Sequence, residues 1–445
     1  MQLRSGIVAA GEPLYEATRY WMGGGPSDQS WPTPIFSGAS STNVIGTTLQ
    51  CIELEGEFTE VQLIVANMSG SQPIEYVGAS AVAVADFSDK KQDALFASEA
   101  KMFSFGGAPG ITVPVRSGRN SPTLAVSDWL PIAAKQRTDG STAPAGSKRS
   151  DGSLPFLLYV RLAQRVWDST GMRVTRGQRM GSDWGTGRAQ IWCANNTGAP
   201  TANLTGAFSP TPVASNDGFT GYTTLAGVRY RSRTKIMTVM LGGSSLSEGG
   251  ADSGKTYAGF QRAFNDLSTV ARPIETANHG MSTNSSTNAR IGCVYAIPII
   301  RPSHMCWEFY NPNDVGGGNL TQGQMDTIEA TLESNRQQVF ASIEAIGGKG
   351  FVWNGIPRNT GDAAWYSSTG DGYRLAILNR LLGRAFEVAD VNGAIQDGSS
   401  PQRIRRTANG FAANETGDGL HINGAGYTAA LSAFATPVNN LSAAF

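Results

Sequence analysis

At 445 residues the chain is long enough for two or three domains of ordinary size, and its 40% hydrophobic content is ample for sizeable cores. The 35 Lys and Arg balance 35 Asp and Glu to a formal net charge of zero, which excludes a general binder of nucleic acid or of charged membrane surfaces. Only 16% of residues are charged and 54 are glycine, so the chain reads as turn-rich and β-heavy, not disordered.

The short apolar patch near the start is cut off by Gly11, Glu12 and Pro13. That is too short for a signal-peptide core, and no run approaches the roughly 18 apolar residues that span a bilayer. No membrane partner is expected, and localisation stays open. Cys51, Cys193, Cys293 and Cys306 form no CxxC pair. They read as buried thiols, with a Cys293–Cys306 bridge as the alternative.

Up to residue 233, short alternating runs are separated by Gly, Ser, Pro and Asn. Thr59–Val65 places Val61, Leu63 and Val65 on one face, and Phe156, Leu158, Val160 and Leu162 repeat the pattern with Tyr159 and Arg161 opposite. Similar runs occupy Ala79–Phe87, Ile111–Arg116 and Gly221–Arg229, whereas Arg137–Pro155 reads as an exposed loop. Such spacing predicts a β-rich unit over residues 1–233, sandwich or jelly-roll-like.

From residue 234 strands and helices alternate. Strands are predicted at Ile236–Leu241, Pro273–Asn278, Met305–Tyr310, Gly350–Ile356 and Phe386–Val391. Helices are predicted at Lys255–Val270, Thr321–Ile346, Tyr373–Glu387 and Gly424–Phe434. This implies an α/β unit over 234–445 with a flavodoxin-like parallel sheet and helices on both faces. Ligands then belong in the loops after Leu241, Asn278 and Tyr310 and before the last helix.

The first of these loops has two readings. From Gly249 to Thr256 it fits a phosphate-cradling GxxxxGK[ST] loop with Lys255 and Thr256 in place, although it starts eight residues beyond the strand. From Gly243 it reads Gly-Ser-Ser-Leu-Ser-Glu-Gly, which resembles the first block of the SGNH (GDSL-like) hydrolases. Asn278-His279-Gly280 then resembles the second block, and Asn311-Pro312-Asn313-Asp314 the third. Asp418-Gly419-Leu420-His421 through Gly426-Tyr427 fits the last without a mismatch. The resemblance covers about residues 234–445 and is silent on the rest.

A serine hydroxyl needs a base within hydrogen-bond reach, and the chain holds three histidines, His279, His304 and His421. His421 follows Asp418 by three residues, a spacing that lets the carboxylate orient the ring. The resemblance implies Ser245 as nucleophile, His421 as base and Asp418 as its orienter. It also implies an oxyanion hole built from the Ser245 and Gly280 N–H groups and the Asn313 amide. His279 and His304 read as core or loop histidines, while Glu248 and Asp314 read as loop stabilisers. Two residues depart from the family pattern: Ser244 stands for its Asp and Asn311 for its Gly. No cofactor is expected, and the histidines lack the spacing of a metal site.

The family spans carbohydrate O-acetylesterases, lipases and thioesterases. Trp307, Tyr310, Trp353, Trp365 and Tyr366 near the blocks could stack on sugars or fill the core. With no long apolar lid and a β-rich module ahead, the expectation is a serine esterase removing O-acetyl groups from a polysaccharide. The module carries Trp21, Trp31, Trp129, Trp167, Trp184 and Trp192, and an Arg-bearing stretch at 161, 165, 173, 176 and 179. That stretch reads as a solvated charged face, or else as an anionic-glycan surface. The composition also resembles phage tail or receptor-binding proteins, implying a homo-oligomer or virion assembly. The rival reading is a non-catalytic glycan-binding or virion structural protein that keeps the fold.

Overall fold

The computed structural model describes residues 14–21, 45–67, 73–86, 89, 92–116, 121–140, 149–165, 192–196, 204–207, 225–249, 259–280, 284–360, 363–405 and 418–443. The first strands are β1 (Tyr15–Trp21), β2 (Ile45–Leu54), β3 (Phe58–Asn67), β4 (Ile74–Val84) and β5 (Lys101–Met102). They continue with β6 (Ile111–Val113), β7 (Thr123–Val126), β8 (Leu130–Pro131), β9 (Phe156–Arg165), β10 (Trp192–Asn196) and β11 (Leu225–Ser232). Helix α1 (Asp93–Glu99) lies among them.

Strands and helices then alternate as β12 (Met237–Gly243), α2 (Ser245–Glu248), α3 (Gln261–Leu267), β13 (Ile274–Gly280), α4 (Ser286–Ile300), β14 (His304–Glu308), α5 (Gln322–Glu344) and β15 (Lys349–Trp353). A hairpin of β16 (Asn359–Thr360) and β17 (Ala363–Ala364) precedes α6 (Ser368–Leu382), β18 (Val388–Ala389), α7 (Val391–Ile395) and α8 (Gly424–Ala443).

The larger sheet runs β18-β15-β14-β12-β13-β1-β11-β3-β7, with β8 also on β3. Neighbours from β18 to β1 pair in parallel, and beyond β1 the pairing is antiparallel. Alternate residues of the parallel strands serve opposite faces. Met240, Met305, Trp307 and Val352 pack with α4, α5 and α6; Val239, Leu241, Cys306, Phe351 and Trp353 pack with α3, α7 and α8. Burial on both faces is what near-continuous apolar strands require.

The change of character at residue 233 falls between β11 and β12, yet the sheet does not stop there. Its antiparallel half is one layer of a sandwich, whose other layer is β10-β2-β9-β4 with β5 and β6 on β4. Val61, Leu63 and Val65 face Leu158, Val160 and Leu162 across this core, the faces expected from their alternation. On the outer side of β9, Tyr159 packs with α1 residue Phe96.

Several expectations are corrected. Arg161 is buried, stacks on Phe96 and pairs with Asp93, and Arg165 pairs with Glu75, so neither offers a free cationic surface. Residues 173, 176 and 179 lie outside the described residues, as do Trp31, Trp167 and Trp184. The stretch 137–155 is not simply exposed: Arg137 is buried with Glu53 and Asp139, and Arg149 with Glu55. As expected, Cys293 and Cys306 are buried free thiols rather than a bridge, and Cys51 is buried. Helix α6 starts five residues earlier than predicted, because the Ser367 side chain caps it by accepting from the Gly370 N–H. Helix α4 was not predicted, since Gly292 and Pro298 break its pattern.

A buried polar cluster joins the two parts. Arg19 of β1 pairs with Glu275 of β13 at 3.3 Å. Glu275 Oε2 also accepts from the Glu55 N–H (3.0 Å) and the Tyr230 hydroxyl (2.9 Å). Glu55 in turn receives Arg149 Nε (2.6 Å) and the Ser268 hydroxyl (2.8 Å). Burial pushes the Glu275 carboxyl up, against the pull of Arg19. Removing one member of a buried pair strands the other, so Arg19→Ala is expected to cost about 3–5 kcal/mol in urea unfolding. Arg19→Met combined with Glu275→Gln is expected to recover part of that loss.

Candidate active site

Strand β12 is flanked by β13 and β14, so three block-bearing loops leave one edge of the sheet side by side. Gly243 pairs with Gly280 across β12 and β13, and Gly242 with Trp307 across β12 and β14. The first loop is extremely tight. Ser244 caps α2, its hydroxyl accepting from the Leu246 N–H at 3.3 Å, and Ser245 opens the helix. Gly249, at φ 79°, closes it. The Tyr427 hydroxyl donates to the Leu246 carbonyl at 2.9 Å, which ties the last block's tyrosine to the first block.

Ser245 Oγ lies 2.7 Å from His421 Nε2, and His421 Nδ1 lies 2.5 Å from Asp418 Oδ2. Asp418 Oδ1 also accepts the backbone N–H groups of Leu420 and His421, each at 2.8 Å. Partial burial pushes the Asp418 carboxyl up, but the His421 ring and these two N–H groups outweigh it and hold it at about 2. Ionised, Asp418 can only accept, so Nδ1 carries the ring proton and Nε2 faces Ser245 with its lone pair. Chemically, the arrangement can draw a proton off Ser245.

Of the expected oxyanion donors, Asn313 sits in a short 3₁₀ turn, Pro312–Asp314. One hydrogen of its amide goes to the Asn284 carbonyl at 2.9 Å, and a second hydrogen remains. The Gly280 N–H is engaged, donating to Asn278 Oδ1 at 2.9 Å. Asn311, the first departure, earns its place: its Oδ1 accepts from the Asn313 N–H at 2.9 Å and its Nδ2 donates to the Asn284 carbonyl at 2.9 Å. A glycine could do neither. Asp314 accepts from the Ser286 N–H at 3.0 Å and so holds the turn against α4.

Ser244, the second departure, leaves the loop without its aspartate, yet a carboxylate is present. Glu308, the last residue of β14, is fully buried beneath the loop. Its Oε2 accepts the Ser244 N–H (2.7 Å) and the Ser247 hydroxyl (2.9 Å), and its Oε1 accepts the Ser244 hydroxyl (2.8 Å). Gly243, at φ 153°, has no room for a side chain: a Cβ would come within 2.2 Å of Glu308 Oε2. Burial pushes the Glu308 carboxyl up to about 7 against the hydrogen bonds from Ser244 and Ser247. Sequence reasoning passed over Glu308, although one charge inside the apolar run from Met305 to Tyr310 was the available signal.

Other expected residues separate from the site. His279 is buried beside Tyr20, whose hydroxyl is 3.2 Å from its Nδ1, and burial pushes its pKa down to about 4. His304 lies at the start of β14, the opposite end from Glu308. Trp307, Tyr310, Trp353 and Tyr366 are buried in the core, the second of the two readings their sequence left open, and Trp365 is half-buried. Lys255 and Thr256 of the phosphate-loop reading lie outside the described residues.

Folded Glu308 keeps its proton to about pH 7, whereas an unfolded glutamate releases it near about 4.3. Across that interval the folded state binds more protons, so stability falls as pH rises. Glu308→Gln removes that fall. Relative to the wild type, the variant is expected to gain about 3 kcal/mol between about pH 4.5 and 8, read from urea unfolding at each pH.

No family model matches the chain, and no curated protein matches it. Solved structures similar to it include a family 3 carbohydrate esterase from Clostridium thermocellum, 16% identical, with a TM-score of 0.34 over 47% of this chain and 98% of that one. A lipase/acylhydrolase from Enterococcus faecalis is 16% identical, with a TM-score of 0.32 over 45% of this chain and 96% of that one. A GDSL-like lipase from Bacteroides thetaiotaomicron is 13% identical, with a TM-score of 0.30 over 46% and 88%. The parallel strands and flanking helices described after β11 form an α/β fold similar to that of the SGNH hydrolases.

Proposed function

We propose that this protein is a serine esterase that cleaves acyl esters, O-acetyl groups on a polysaccharide in particular. One observation carries the reading: the Ser245–His421–Asp418 relay at 2.7 and 2.5 Å, on the sheet edge where ligands of such folds bind. Ser245 Oγ attacks the ester carbonyl carbon as His421 Nε2 takes its proton. The oxyanion that forms is met by the free hydrogen of the Asn313 amide and by the Ser245 N–H. Gly280 joins them once Asn278 releases its N–H. Collapse of the intermediate expels the sugar alkoxide, which takes the proton from His421 and leaves an acyl group on Ser245. Water, activated by the same histidine, then releases the acid. The sugar ester is supported by the sequence, which places a β-rich module ahead of the unit and no long apolar lid within it.

A second reading is a glycan-binding protein that keeps the fold without turnover. The engaged Gly280 N–H favours it, because a donor already satisfied stabilises no oxyanion.

Hydrolysis of 4-nitrophenyl acetate separates the two. Ser245→Ala and His421→Ala are each expected to lower kcat/KM by about 10⁴-fold or more, and Asp418→Asn by about 10³- to 10⁴-fold. Asn313→Ala is expected to cost about 10²- to 10³-fold, mostly in kcat. A wild type no faster than Ser245→Ala on any acetyl ester supports the binding reading instead.

A further inference from the structure

Past β15 the chain crosses the site's rim before entering the β16–β17 hairpin. Ile356 and Asn359 are buried, and Arg358 between them emerges half-buried. Two tethers fix where it emerges. The Asn359 N–H donates to the Gly419 carbonyl at 2.8 Å, and Gly419 sits between Asp418 and His421 in sequence. The approach is so close that a Cβ on Gly419 would lie 2.2 Å from the Asn359 carbonyl oxygen. On the other side, the Trp365 N–H donates to the Arg358 carbonyl at 3.1 Å. The Ser367 N–H donates to the Gly318 carbonyl at 3.1 Å, and the Tyr366 hydroxyl meets that of Tyr310 at 3.2 Å. Tyr310 and Gly318 bracket the turn that carries Asn313. Arg358 and Trp365 therefore stand between the loop of the base and the loop of the oxyanion donor.

The guanidinium of Arg358 lies over the Trp365 indole, with Cζ 4.1 Å from the ring centroid. Among the described residues it has no hydrogen-bond or ion-pair partner, and its buried Nε is unsatisfied. Other arginines after β14 differ: Arg336, Arg374, Arg380 and Arg403 each pair with an Asp or Glu. The indole face steadies the cation without using its N–H donors. Lying on the ring, the fork keeps its donors in one plane. A planar carboxylate can meet such a fork with two parallel N–H···O bonds, and a uronic-acid sugar carries that carboxylate.

Resting on the esterase reading, we propose that Arg358, backed by Trp365, is a subsite for a sugar carboxylate, so that the ester cleaved is carried by an acidic glycan. The test uses O-acetylated polygalacturonate and the same polymer with its carboxyls methyl-esterified, following acetate release. The full-length wild type is expected to favour the free acid by about 10- to 100-fold in kcat/KM, mainly through KM. Arg358→Gln is expected to bring that ratio to within about twofold, and Arg358→Lys, which keeps the charge but not the fork, to leave an intermediate value. The ratio is internal to each variant, so a general loss of fold does not mimic the result. No preference in the wild type, a rate on neither polymer, or a preference that survives Arg358→Gln overturns the subsite. The esterase reading fails separately, if 4-nitrophenyl acetate hydrolysis survives Ser245→Ala. In that event calorimetric binding of the two polymers to wild type and Arg358→Gln decides the carboxylate subsite alone.

Discussion

Parallel pairing of β12 with β13 on one side and β14 on the other is the constraint on which the rest depends. In a parallel sheet all strands end at the same edge, so Gly280 on one side and Glu308 on the other each come within one strand spacing of the end of β12 although they are far from it in sequence. Residues so placed need only short loops to meet. Ser245 follows two residues after β12 ends, and the 3₁₀ turn bearing Asn313 four residues after β14. The final block arrives from outside the sheet, held by Tyr427 to Leu246 and by Asn359 to Gly419.

Glu308 shows how a departure from a family pattern can be absorbed. The loop around Ser244 offers one N–H and two hydroxyls that need an acceptor, and burial forbids water from supplying it. A carboxylate from the neighbouring strand meets all three. Its own cost is the burial that pushes its pKa up to about 7, so that it is only about half ionised at pH 7. Asn311 does the equivalent for the third block with an amide. In both cases the substituted residue is part of a hydrogen-bond set and not a vacancy left by the expected one.

The sandwich and the α/β unit share a sheet, and their junction is polar. Arg19, Glu275, Tyr230, Glu55 and Arg149 satisfy one another out of water. Such a set is costly to half-break, which makes β1 an integral strand of the larger sheet and not a loosely attached arm. At Arg358 the case is the converse: among the described residues the guanidinium has no acidic partner and rests on the Trp365 ring.

Local patterns were enough to read much of this from the chain. Two-residue alternation located β3 and β9 and their inward faces, because one face of each had to be apolar. Apolar runs located β12 to β15, because they are buried on both sides. The candidates Ser245, Asn313, Asp418 and His421 came from the resemblance of four blocks to the SGNH pattern, and only the Asp418–His421 spacing spoke for itself. What the sequence could not supply was partnership at long range. That Arg19 answers Glu275, that Glu308 lies under Ser244, that Asn278 holds the Gly280 N–H, and that the tryptophans at 307 and 353 point inward are facts about residues apart in sequence, or about which face a loop turns. Only tertiary packing decided those, since a buried charge or indole is tolerated where a distant element happens to meet it.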